Sequence, residues 1–538
     1  MRQTSSSRIS LFFSALSLLT IVTPPATAQR GMAPADQGSL KEPIQVTGGL
    51  ITGTPTIQWV PGVRLYRGIP YAAPPIAYLR WRAPQAVVPW TGVKAADRFS
   101  PACMQPPTET SGSSAWHEGL VPISEDCLYV NVWTPAKNAS DRLPVMVYIY
   151  GGGNVRGAAS ENQYDGQYLA RKGVVFVSFN YRLGVFGFMA HPELTAESEH
   201  RSSGNYAILD LVAALKWIQQ NITAFGGDPT RVMIFGHSAG ASNVSSLVGS
   251  PLAKGLFQRA VSLSGNNLSN TTSLAEAEKG GVALGGRLQA PSIAALRKKA
   301  AEEILGAAQG RWSTNMDGWV FPEDIRSIIA AGQHNDVPLI VGTVAVDVPG
   351  FGGQMKASDA RAYAQNTFHE LADTYLKLYP SSTDAEATKS AIQFRSDSAM
   401  ASARAWLRLQ TQTGKSNAYW YYFTHVSPMP HELVWAGRPA LDAGAYHGSE
   451  IVYVFDAFPL QAWAWRSMDL KLGELMSSMW VQFAKTGNPN VAGMPNWPAF
   501  ASATDVLMEF GDTPLARRTP LKEKLDFIHK WRAAETAR

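Results

Sequence analysis

Gly236-His237-Ser238-Ala239-Gly240 follows the apolar run Arg231–Phe235 and precedes small residues able to begin a helix. A serine at such a strand-to-helix turn is placed to act as a nucleophile. Small neighbours permit the tight turn, and the helix N-terminus lends positive potential to a developing oxyanion. A second stretch, Tyr150-Gly151-Gly152-Gly153, ends an earlier apolar run. Glycines there let backbone N–H groups approach a substrate. With the amide of Ala239, those of Gly152 and Gly153 make three donors for a tetrahedral oxyanion. G-x-S-x-G alone is a loose pattern that often marks a simple turn; the strand before it and the glycine triplet favour acyl transfer. No GxGxxG, Walker or HExxH pattern occurs, and two cysteines are too few for the usual thiolate zinc sites. Neither metal nor cofactor is expected.

The elements that must position these residues are continuous apolar runs: Val145–Tyr150, Val174–Phe179, Arg231–Phe235, Ala260–Leu263 and Pro338–Val341. Strands without polar alternation are buried on both faces. Helical stretches lie between several of them, such as Ala207–Gln220 with Leu211, Leu215 and Ile218 at helical spacing. The pattern predicts an α/β fold with a mostly parallel sheet covered by helices on both faces. Ile44–Val46 and Val63–Tyr66 suggest a small antiparallel edge, and residues 268–331 and 357–414 read as helical, cap-like insertions. Apolar residues make up 45% and charged residues 17%, which suits a large core and excludes disorder. The formal charge of +5 includes no basic run of the kind nucleic acid needs.

Arg2 and Arg8, the apolar stretch Ile9–Val22 and Ala26-Thr27-Ala28 read as a signal peptide over residues 1–28. That stretch is shorter than the roughly 20 residues of a membrane span, and no later one is long enough. The expected organisation is signal peptide 1–28, flexible lead-in 29–42 and one catalytic domain 43–538, in a secreted or periplasmic protein. In an exported chain the isolated pair Cys103 and Cys127 is expected to be bridged. Sequons at Asn138, Asn221, Asn267 and Asn270 leave glycosylation to the host.

Several blocks together resemble the type-B carboxylesterases, the family that includes the cholinesterases. They are Glu125-Asp126-Cys127-Leu128-Tyr129-Val130-Asn131-Val132, Asn180-Tyr181-Arg182-Leu183-Gly184, Gly204-Asn205-Tyr206, Phe225-Gly226-Gly227-Asp228-Pro229 and Thr486-Gly487-Asn488-Pro489, in the family's order. The resemblance spans residues 43 to 530 and implies the α/β-hydrolase fold, a Ser-acid-His order and a small-molecule ester as substrate. It identifies His447, in Gly444-Ala445-Tyr446-His447-Gly448-Ser449-Glu450, as the catalytic histidine. Gly342-Thr343-Val344-Ala345-Val346-Asp347 places Asp347 at the acidic position, where family members more often carry Glu. Glu450 and Asp442 are the alternatives. By the same resemblance Arg80 pairs with Glu125, Arg182 pairs with Asp210, and the loop closed by Cys103 and Cys127 carries Trp116 toward the pocket.

Two departures bear on substrate. His237 stands where the family usually has Glu, removing a carboxylate that would attract choline-like cations. Asn154 stands where Phe is common. Asn154-Val155-Arg156 puts polar groups beside the oxyanion glycines, so Asn154, Arg156, Trp116 and His237 are candidate substrate contacts. An inward Arg156 would suit half-esters of polycarboxylic acids, such as tricarballylate esters of the fumonisin type. An outward one would pair with a surface acid such as Glu161. The reading from another class is a non-catalytic, cholinesterase-like adhesion protein. Oligomeric state is not legible in the sequence.

Overall fold

A computed structural model describes residues 40–55, 60–107, 122–269, 272–347, 354–430, 434–435, 438–439 and 443–537. The signal segment, Trp116, Asp442 and the sequon at Asn270 lie outside them. Eleven strands form the main sheet. In chain order they are β1 (Thr54–Pro55), β2 (Arg64–Pro70), β3 (Tyr129–Thr134), β4 (Leu143–Ile149), β5 (Val175–Phe179), β6 (Gly227–His237), β7 (Arg259–Leu263), β8 (Leu339–Val344), β9 (Ala418–Phe423), β10 (Val506–Phe510) and β11 (Leu515–Arg518). Across the sheet the order is β11-β10-β9-β8-β7-β6-β4-β5-β3-β2-β1.

From β5 to β10 neighbouring strands run parallel, and the outer pairs at both edges are antiparallel. The apolar runs supply the centre: every residue of β5, β8 and β9 is buried. Helices cover the sheet. Helix α1 (Tyr206–Asn221) shows why one-stripe amphipathicity is a poor guide in such a fold: only Lys216 and Gln220 are exposed, because it is packed on most sides.

Ile44–Val46 and the run near Val63–Tyr66 do not share an edge. The first pairs with Gly49–Thr52 in a separate three-stranded sheet, while β2 pairs with β3 in the main one. Alternation locates such strands but carries no information about their partners. The packed fold also begins before residue 43. Leu40 is buried, and the Glu42 carboxylate meets Arg64 at 2.6 Å and the Gly53 amide at 3.0 Å. An ion pair across β2 ties down what composition reads as lead-in. Residues Ser39–Arg538 form one compact unit.

The stretch 357–414 is helical, as expected, but it does more than cap. Its long helix α2 (Asp384–Thr413) packs along β8 and β9. No helix among the described residues is long and apolar enough to cross a membrane.

Candidate active site

The parallel strands β4 and β6 are hydrogen-bonded neighbours, with Gly236 opposite Ile149. Their C-terminal ends therefore deliver the glycine-rich loop and the Ser238 turn to one place, beside the point where strand order reverses. Ser238 adopts φ 57° and ψ −121° and caps the helix α3, Ala239–Gly249. A non-glycine residue with positive φ is strained, and here the surroundings hold it: the Ser238 amide bonds to the Leu263 carbonyl at 2.9 Å. Gly240 is required by close approach, since a Cβ there would lie 2.0 Å from the Ile149 carbonyl oxygen.

The loop after β4 turns tightly. Gly152 has φ 102°, and its carbonyl accepts the amides of Val155 and Arg156, both at 3.1 Å. The amides of Gly152, Gly153 and Ala239 donate to no group among the described residues. For Ala239 this follows from its place at a helix start, where the first N–H groups lack intrahelical partners.

Asp347 and His447 come from distant loops that the backbone ties together. Val346 and Tyr446 form an isolated parallel bridge, and the Val346 amide bonds to the Ala445 carbonyl at 2.9 Å. Asp347, nearly fully buried, then meets His447 Nδ1 through Oδ1. The shorter acid thus reaches the histidine because its loop is paired to the histidine loop. Ser396 of α2 fixes the Asp347 amide, its hydroxyl oxygen accepting at 3.0 Å. His447 Nε2 has no hydrogen-bond partner among the described residues. Burial opposes the His447 cation, yet the charge and hydrogen bond of Asp347, aided by Glu450, hold its pKa above the ordinary imidazole value.

Glu450, the alternative acid, is fully buried beside this pair. Its Oε1 accepts from Ser264 at 3.1 Å and from Tyr421 at 3.4 Å, and Oε2 has no partner among the described residues. Burial and the nearby Asp347 charge push its carboxyl up to about 7. Glu450 makes no hydrogen bond to His447; Asp347 does. Sequence reasoning missed its burial.

His237 is buried against His447, ring centroids 4.5 Å apart, with Nε2 unpartnered among the described residues. Burial and the His447 charge push its pKa well below the usual value, so it is neutral. Because His237 adjoins Ser238 in the chain, this ring contact brings the histidine loop against the serine turn. Asn154 is committed within the protein: its Oδ1 accepts from Asn243 at 2.9 Å, and its carbonyl accepts the Gly184 amide at 2.7 Å. Nothing in the sequence marked Asn243, which reads as one polar residue in α3.

Arg156 is exposed and forms no ion pair among the described residues. The expected pairing with Glu161 is absent, because Glu161 is buried and its carboxylate caps the Ala158 amide at 3.0 Å and receives Gln163 at 2.8 Å. The Arg156 stem lies over Gly152, its Cγ 3.0 Å from where a Cβ would stand.

The supporting pairs form as the resemblance implied. Arg80 binds Glu125 through two bonds, at 2.6 and 2.5 Å, and Arg182 binds Asp210 at 2.8 and 2.7 Å. Cys103 and Cys127 are bridged. Asn221, one of the sequon residues, is buried and bonded to Thr47 and Trp217. Among the described residues no cluster of His, Cys, Asp and Glu could hold a metal ion.

The Carboxylesterase family profile matches residues 41–528. The chain is 36% identical over 472 residues to fumonisin B1 esterase of Sphingopyxis macrogoltabida, covering 84% of this chain and 83% of that one. It is 33% identical over 472 residues to para-nitrobenzyl esterase of Bacillus subtilis (strain 168), covering 82% and 90%. A solved thermophilic PNB esterase superposes with a TM-score of 0.76 at 32% identity, over 90% of this chain and 99% of that one. The chain belongs to the carboxylesterase family and is a serine ester hydrolase of the α/β-hydrolase fold.

Proposed function

We propose that Ser238 is the nucleophile, His447 the general base, Asp347 the residue orienting it, and the amides of Gly152, Gly153 and Ala239 the oxyanion donors. The observation that carries this reading is the Asp347–His447 hydrogen bond at Nδ1, which leaves Nε2 as the free nitrogen of a histidine packed beside the serine turn. Ser238 Oγ attacks the ester carbonyl carbon and passes its proton to His447 Nε2. The three amides hold the resulting oxyanion. The proton then goes to the departing alcohol, leaving an acyl-enzyme, and water deprotonated by His447 releases the acid. Asp347 holds the tautomer and stabilises the transient imidazolium. Fluorophosphonate labelling tests the reading: one equivalent should attach at Ser238, and Ser238→Ala should lose both the label and about a millionfold in kcat. Stoichiometric labelling at another residue, or a tenth of the activity kept by the variant, would overturn it.

For the substrate, the similarity to fumonisin B1 esterase supports an ester of a polycarboxylic acid, such as a tricarballylate ester. The Arg156 guanidinium, beside the glycine loop and without an ion pair among the described residues, is the group to receive a free carboxylate. Wild type should then prefer a half-ester over its methyl-capped analogue, and Arg156→Ala should remove about 1.5–3 kcal/mol of that preference. Equal kcat/KM for both esters would leave neutral carboxylic esters as the substrates. Export is part of the reading, supported by the N-terminal pattern and by the bridge, which suits an oxidising compartment.

A further inference from the structure

The oxyanion donors proposed above come from two separate elements, Gly152 and Gly153 from the loop after β4 and Ala239 from the first residue of α3. The loop holds a demanding conformation. Gly152, Gly153 and Asn154 take positive φ in succession, at 102°, 68° and 60°. Only the third carries a side chain, and asparagine is among the few residues that enter this region readily. The near end of the loop is held at Tyr150, whose carbonyl accepts the Tyr181 hydroxyl at 2.7 Å and whose ring stacks on that of Tyr181, centroids 4.5 Å apart.

Asn154 holds the far end. Its carbonyl accepts the Gly184 amide at 2.7 Å. Its side chain meets that of Asn243 in both directions: Asn243 Nδ2 donates to Asn154 Oδ1 at 2.9 Å, and Asn154 Nδ2 donates to Asn243 Oδ1 at 3.4 Å. Asn243 is buried in α3, four residues after Ala239, so the two share a helix face on which side chains lean toward the N-terminus. The reciprocal pair thus joins the residue after Gly153 to the turn that begins with Ala239. We propose that Asn154 and Asn243 are positioning residues for ester hydrolysis, their amide pair fixing the spacing between the loop donors and the helix donor. This rests on the oxyanion assignment above. Donors stabilise a transition state by being aimed before charge develops, so a slackened spacing costs rate and leaves ground-state binding intact.

Asn154→Gly leaves the backbone free to hold positive φ and Asn243→Ala suits a helix, so each removes the pair without straining the chain. In hydrolysis of a p-nitrophenyl ester by the full-length enzyme, each should lower kcat about tenfold with KM within about twofold, short of the hundredfold or more of losing a donor outright. The double variant should be no slower than the slower single one, because both break one contact. A trifluoromethyl ketone and its carbinol separate the clamp from the assignment beneath it. Ser238 Oγ adds to the ketone carbon and passes its proton to His447, leaving an oxyanion; the carbinol forms none. Wild type should bind the ketone about a hundredfold or more tightly than the carbinol, and each variant should lose about tenfold of that preference while binding the carbinol unchanged. A wild type without the preference would overturn the oxyanion assignment and the clamp with it. Full preference kept by both variants, kcat unchanged, or losses that multiply in the double variant would each overturn the clamp alone.

Discussion

Replacing Glu450 by Gln gives a prediction that separates a buried carboxyl from a catalytic one. In the folded protein Glu450 is surrounded by Asp347, Ser264 and Tyr421, and its carboxyl is pushed up to about 7 from an ordinary value of 4.5. The folded state therefore holds a proton that the unfolded state has released, and stability falls as pH rises from the unfolded value to the folded one. At about 1.4 kcal/mol per pH unit, the wild type loses about 3 kcal/mol across that interval on account of this group. Gln stays neutral and keeps the acceptor oxygen for Ser264 and Tyr421, so Glu450→Gln escapes the loss. Urea unfolding followed by tryptophan fluorescence should show the variant near wild type at pH 4 and more stable by about that amount at pH 8. A stability difference independent of pH, or one that favours the wild type increasingly at alkaline pH, would refute the reasoning.

Asp347→Asn should instead abolish catalysis, lowering kcat about ten-thousandfold by leaving the imidazole in the wrong tautomer, while Glu450→Gln stays within about tenfold; the opposite ranking in a steady-state assay would move the orienting role to Glu450. The acid limb of kcat/KM should lie above 6.5, because the charge and bond of Asp347, aided by Glu450, outweigh burial at His447 and activity needs the neutral ring. A limb below pH 6 would contradict that balance. Reducing or replacing the Cys103–Cys127 bridge, which joins residues 24 apart, should cost about 3.5 kcal/mol of stability on the chain-entropy estimate, read from the urea midpoint.

What the sequence carried and what it concealed divide along physical lines. Strands β4 to β8 were legible because burial on both faces demands unbroken apolar runs. Even so, β6 extends back to Gly227, whose Asp and Pro neighbours look like a turn until the pairing of Gly227 with Leu143 across a register shift is seen. Strand β11 is exposed along its length and reads Leu-Ala-Arg-Arg, so no hydrophobic pattern marks it. Strand β9, Ala-Tyr-Trp-Tyr-Tyr-Phe, did carry an aromatic signal and went unread. The serine turn was local and therefore visible. The union of Asp347 with His447 depends on a bridge between residues 100 apart, and only the family pattern pointed to it. Glu450 lies in the histidine block, yet nothing there marks it as buried, and Asn243 had no pattern at all: a buried acid and a buried amide look in sequence like any others.

The same separation has a consequence for the chain as it is made. The glycine loop and the serine turn sit on adjacent strands from the first half of the polypeptide, whereas the histidine follows some 200 residues later. Domains can begin to fold while synthesis continues, so the frame of the proposed nucleophile can form around β4 and β6 well before the proposed base exists to activate it. On the roles proposed above, hydrolytic competence arrives late, when the Val346–Tyr446 bridge closes. A nascent chain would then be harmless to the esters around it.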